Sequence, residues 1–123
     1  VKVILMEVTE DHPFVQVELM MPILPLVRVP DVDQAIEMAV RVEHGNRHTA
    51  MMHSRNVEKL TKMAKLIQTT IFVKNGPSYA GIGVGGEGYT TFTIAGPTGE
   101  GLTSAKSFAR RRRCVLVGGM DVR

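Results

Sequence analysis

Four sets of residues in this 123-residue chain are of types that can do chemistry. The first is Glu18, a lone carboxylate between Val17 and Leu19 in the methionine-rich, proline-bounded run Glu18-Leu-Met-Met-Pro22. Burying such a group without a partner is expensive. Ionised, it accepts hydrogen bonds of the kind a sugar diol supplies in pairs. An edge-exposed glutamate in an irregular segment would give the same pattern. The second set is the glycine cluster from Gly81 to Gly88, which follows the apolar run Thr70–Lys74 and the turn Asn75-Gly76-Pro77. Glycines this dense let backbone approach a ligand or another segment closely. Gly81-x-Gly83-x-x-Gly86 has the spacing of a dinucleotide-phosphate loop, but that loop needs a helix to open behind it. Tyr89–Ile94 follows instead and alternates like a strand. A packed glycine loop lining a cleft fits better.

The third set is His44, His48 and His53. Gly45 and Asn46 break the helix between the first two, no cysteine is near, and the carboxylates are not at ligand spacing, so no metal is expected. The fourth is Cys114 beside Arg110-Arg111-Arg112-Arg113. Four cations would favour a thiolate. Yet Cys114 opens the apolar run Cys114-Val-Leu-Val117, where a strand cysteine packs as a small hydrophobe. The arginines lack the interleaved aromatics that stack on bases, so a solvated or subunit-facing edge is expected.

The elements that must position these residues read as alternating short strands and amphipathic helices. Val1–Val8 is a strand, Glu10–Pro13 a turn, and Leu24–Val29 a second strand in which Pro25 is tolerable near the start. Asp31 caps a helix from Val32 to about His44, with Gly45 at its C-terminal end. Thr49–His53 is a short strand, and Ser54 or Asn56 caps a second helix to about Gln68. Ile71–Val73 is the next strand. This order is the signature of parallel βαβ units. Beyond Gly88 come a half-buried strand at Tyr89–Ile94, a turn at Gly96–Gly99, a helix or connector from Gly101 to about Ala109, and a last strand at Arg113–Val117.

Composition bounds the answer. The chain is 44% apolar, 22% charged and carries a formal charge of +3, as expected of one soluble globular unit. No apolar run reaches the roughly 20 residues of a membrane span. A single cysteine excludes an internal disulfide framework and suits a reducing cytoplasm. The chain opens at Val1 inside a strand-like run, which reads as a piece cut from a longer protein.

Taken in order, several blocks carry a resemblance. Glu18-Leu-Met-Met-Pro22 is followed by Ile23–Val29, Thr49-Ala-Met-Met-His-Ser54, Ile71-Phe-Val-Lys-Asn-Gly-Pro77 and Gly85-Gly-Glu-Gly-Tyr-Thr-Thr91. Thr98–Ser104 and Arg111–Val117 complete the series. Together they resemble the C-terminal part of the aldehyde dehydrogenase superfamily, in its CoA-acylating branch associated with ethanolamine and propanediol use in bacterial microcompartments. The resemblance implies an α/β fold, with parallel βαβ units forming the later part of the catalytic domain (residues 1–88). A β oligomerisation arm and C-terminal strand (89–123) would follow.

It also implies NAD-dependent transfer of an acyl group from an aldehyde to coenzyme A through a cysteine thioester. The nucleophile would lie outside this chain, Cys114 matching a strand position, so the segment holds no catalytic residue and is expected to be inactive alone. Glu18 matches the carboxylate that holds the nicotinamide-side ribose, and Met20 the residue packed near the nicotinamide. Ser78 and Tyr79 fall where the acyl pocket is walled. The implied partners are a small aldehyde, CoA and further copies of the chain through its C-terminal strands, with no nucleic acid and no membrane. The implied location is cytoplasmic, within a microcompartment. The alternative is a stand-alone α/β module binding an anion or nucleotide at Gly81–Gly88.

Overall fold

The computed structural model describes residues 2–86, 104–115 and 117–118. Its two long helices begin where their caps dictate. The Asp31 carboxylate accepts from the Gln34 amide at 2.9 Å and starts α2 (Val32–Val42). Asn56 accepts from the Lys59 amide at 3.1 Å and starts α3 (Val57–Ile67). Each side chain satisfies one of the amide donors that a helix leaves without an internal partner. α2 runs out through Glu43 into His44 and Gly45, both left-handed at φ 53° and 76°. Gln68, at φ 51°, closes α3 in a conformation that usually selects glycine.

β1 (Ile4–Glu7) pairs in parallel with β2 (Ile23–Leu26), and β3 (Thr49–Met52) with β4 (Ile71–Lys74). α1 (Pro13–Gln16), a single helical turn, sits in the β1–β2 connection. Pro25 lies opposite Met6, while the ladder bonds flanking it run to the Pro22 and Leu26 carbonyls. Alternate residues of β2 therefore serve the ladder and Pro25 falls between them, where a missing N–H costs nothing. The unit β3–α3–β4 is the parallel βαβ expected from the pattern. The preceding helix does not close a second one, because β2 and β3 belong to separate two-stranded sheets.

The core forms where the apolar stripes of α2 and α3 meet. Ile36 (2% exposed), Met63 and Ile67 are its centre, with Ala39, Val40, Ala50, Met52 and Phe72 packed against them. A polar clip sits at its rim. Lys59 and Lys62 of α3 reach Asp33 of α2 at 2.6 and 2.8 Å. These hydrogen bonds hold the Asp33 carboxyl well below its ordinary range, at about 2. The β1–β2 pair is barer, with Ile4, Leu5, Leu24 and Leu26 all about half exposed.

The glycine loop packs as expected of close approach. After β4 the chain turns through a 3-10 segment, Ser78–Ile82, that Gly83 ends at φ 95°. A methyl group on Gly81 would collide with the Ile71 side chain, and one on Gly86 would lie 2.8 Å from the Ala80 carbonyl oxygen.

Past the central segment, Ala105–Phe108 forms a second 3-10 turn inside the stretch read as helix or connector. Arg113–Val115 is in no strand, and Cys114 is exposed, not packed. A strand needs a neighbour's backbone to pair with, and none of the described residues supplies one there. Tyr89–Ile94 and the turn Gly96–Gly99 lie outside the described residues.

Two outcomes follow. Ile36→Ala should lower unfolding free energy by about 2–4 kcal/mol in urea titrations, whereas Val57→Ala, 66% exposed, should change it by less than about 0.5 kcal/mol. Because the Asp33 pKa is depressed from 3.8 to about 2, its contribution is present above pH 4 and is lost as pH falls towards 2. Asp33→Asn should therefore melt below the parent chain at pH 6, and the gap should close by pH 2. A gap that stays constant would mean that the clip is energetically silent.

Candidate functional site

Glu18 owes its place to α1. Pro13 occupies the first helical turn, where a missing N–H is tolerated. His12 caps that turn, its Nδ1 accepting from the Phe14 amide at 3.1 Å while its ring meets the Phe14 ring edge-on. The turn closes with the Val17 amide donating to the Pro13 carbonyl at 3.0 Å, and the chain then returns to extended backbone. Glu18 emerges directly beyond this stop. It is exposed, and its carboxylate has no hydrogen bond or ion pair among the described residues.

An open pocket of about 220 Å³ lies beside it. Val15–Glu18 form one wall, and Val42–His44 with Asn46 and His48 form the other. The second wall is built from the tight exit of α2, where His44 and Arg47 both take positive φ and the Glu43 carboxylate accepts from the Arg47 amide. The pocket is thus lined by two carboxylates, two imidazoles and two side-chain amides, and of the two carboxylates Glu43 is engaged by the Arg47 amide while Glu18 is not. Acceptors and donors in this mixture suit a polyhydroxylated ligand.

The other predicted site residues sit elsewhere. Met20 lies two residues past Glu18, left-handed at φ 49° and 87% exposed, but is not among the residues lining the pocket. Positive φ is uncommon for a methionine. Ser78 and Tyr79 stand on the 3-10 turn after β4, both exposed. The structure therefore does not bring them together with Glu18 in one described pocket. His53 is exposed just past the end of β3, apart from His44 and His48. No group of three metal-ligating side chains converges among the described residues.

Two features escaped the sequence. One is that His44 and His48 face the same pocket as Glu18, although their spacing matched no ligand pattern; the only signal was a polar, glycine-bearing loop directly after a helix. The other is Asn75, left-handed at φ 54°. Its side-chain amide accepts from the Ser54 amide at 2.7 Å and donates to the Ser54 carbonyl at 2.9 Å. That clip ties the exits of β3 and β4 together and fixes the start of the Gly76–Tyr79 loop.

Comparison with known proteins extends this geometry. The propanal dehydrogenase (CoA-propanoylating) of Salmonella typhimurium is 62% identical over 116 residues, covering 94% of this chain and 25% of its own. An engineered glycolyl-CoA reductase solved with bound NADP+ is 80% identical, with a TM-score of 0.84 over 94% of this chain and 26% of its own. The propionaldehyde dehydrogenase of the Clostridium phytofermentans fucose utilisation bacterial microcompartment is 55% identical, with a TM-score of 0.82 over 100% of this chain and 28% of its own. The chain spans about a quarter of the length of the curated relatives it matches. These matches do not favour a stand-alone nucleotide-binding module. Residues 2–101 match the aldehyde dehydrogenase family, and the chain belongs to that family.

Proposed function

We propose that this chain works as the later part of the catalytic domain of a CoA-acylating aldehyde dehydrogenase, with residues 1–88 in the domain proper and 89–123 in an oligomerisation arm. The observation that carries the reading is Glu18, a carboxylate with no partner among the described residues, on the rim of a polar pocket in a chain 62% identical to a CoA-propanoylating enzyme. In the whole enzyme, aldehyde, CoA and NAD give acyl-CoA and NADH, with a cysteine outside this segment forming the thioester. NAD supplies the hydride acceptor; the NADP+ bound to the engineered relative supports a nicotinamide dinucleotide in this role.

The residues of this segment bind and orient. The two carboxylate oxygens of Glu18 accept from the two ribose hydroxyls nearest the nicotinamide, which a free, solvent-facing carboxylate can do without first breaking an existing bond. Met20 adds an apolar contact at the nicotinamide, and Ser78 and Tyr79 wall the acyl group. The reacting thiolate must meet the aldehyde beside the hydride acceptor, so fixing the ribose fixes the reaction geometry.

Assembly with further copies through the C-terminal strands completes the reading, and the microcompartment relative supports the same setting for this enzyme. No nucleic-acid or membrane partner enters it; among the described residues no helix is long and apolar enough to cross a membrane.

In a full-length enzyme carrying this segment, Glu18→Gln should raise the KM for NAD by about tenfold, the scale of a hydrogen bond to a charged group. An unchanged KM would sink the assignment. Cys114→Ser in the same enzyme should leave kcat within about twofold, since exposed thiols remote from the chemistry contribute little. A total loss of turnover there would make Cys114 the nucleophile and overturn the reading of this segment as a binding element.

A further inference from the structure

One ion pair joins the two walls of the pocket. Glu10 precedes α1, whose far end delivers Glu18, and Arg41 lies in the last turn of α2, whose exit delivers Glu43, His44 and His48. Arg41 grips the Glu10 carboxylate with two parallel bonds, Nε to Oε1 at 2.9 Å and Nη2 to Oε2 at 3.0 Å. The same Glu10 is held from the other side, because the Gln16 side-chain amide donates to its carbonyl at 2.5 Å. Arg41, Glu10 and Gln16 therefore form a chain that begins on α2 and ends two residues before Glu18.

The planar guanidinium fork fixes the angle of a carboxylate as well as its distance, which a lysine cannot do. Glu10 is one of the more sheltered acidic groups among the described residues, with its side chain 34% exposed. Its pairing with Arg41 lowers the Glu10 pKa and raises that of Arg41, so both stay charged across the physiological range. No other ion pair among the described residues links the α1 segment to α2.

We infer that the Glu10–Arg41 pair is a positioning brace that sets Glu18 against the exit of α2, and thereby sets the affinity for the nicotinamide-side ribose. This rests on the ribose-binding role of Glu18. Glu10 and Arg41 touch no substrate; they act through the placement of α1.

The test is a double-mutant cycle on the KM for NAD in a full-length enzyme carrying this segment, with melting temperature measured alongside and Glu18→Gln as reference. Glu10→Gln and Arg41→Gln should each raise that KM by about threefold to tenfold, the range of coupled neighbours, with kcat changed less than about twofold. The double variant should be no worse than either single one, and Arg41→Lys, which keeps the charge without the fork, should fall between Arg41→Gln and the parent.

Unchanged KM in the brace variants while Glu18→Gln raises it would overturn the brace and leave the Glu18 assignment standing. A lower melting temperature with unchanged KM would reduce the pair to a structural role and overturn the brace equally. If Glu18→Gln is itself silent, the ribose assignment fails and the brace loses its stated function with it.

Discussion

Among the described residues, water is shut out most completely where Ile36 of α2 meets Met63 and Ile67 of α3, packed against Ala50, Met52 and Phe72 of the β3–β4 pair. Each helix has an apolar stripe that must be covered, and a two-stranded sheet has a face that cannot stand alone. Their mutual burial holds all four elements at once. With β3, β4, α2 and α3 fixed, the exits of β3 and β4 are brought close enough for Asn75 to clip them. The end of α2 is likewise held still enough to form a pocket wall. The Asp33–Lys59–Lys62 clip sits at the rim of this region and orients the helices without entering the core.

The site draws on a different kind of order. Its walls come from the ends of two helices and the backbone that leaves them: Val15 to Glu18 at the end of α1, and Val42 to His44 with Asn46 and His48 at the end of α2. Residues in left-handed conformations cluster at the exit of α2, at His44, Gly45 and Arg47. Non-glycine residues hold such angles only where the surroundings dictate them. The polar groups of the pocket are thus presented by tight, irregular backbone between regular elements, which lets several side chains converge on a small volume.

Much of the fold was legible in the chain because its signals are local. Asp31 and Asn56 announce helices through side chains that reach three residues ahead, and the apolar spacing behind them marks the buried faces. Pairing is different. That β1 lies beside β2, and that β2 does not continue to β3, depends on contacts a dozen or more residues apart, which no local pattern encodes. The single turn α1 was hidden for a related reason: four residues are too few to show a helical period, and Pro13 reads equally as turn or helix start. Glu18 was legible as a carboxylate in an improbable setting. Its pocket neighbours were not, since His44 and His48 reach it only through the tight turn that ends α2. The run Arg113–Val115 shows the converse, a strand-like pattern with no strand to pair with among the described residues.

The bareness of the β1–β2 pair, set beside the dense burial under α2 and α3, makes the molecule mechanically uneven. Elements with few covered apolar contacts open at lower free energy than those packed in a core. Amide hydrogens of Ile4 to Glu7 should thus exchange with solvent well before those of Leu60 to Ile67. The pocket lies on the boundary between these two regimes, one wall on the stiff side and one on the compliant side. A cofactor seated there would meet a hinge whose yielding half carries the carboxylate, so its arrival would quiet the motion of the weaker half more than that of the stronger.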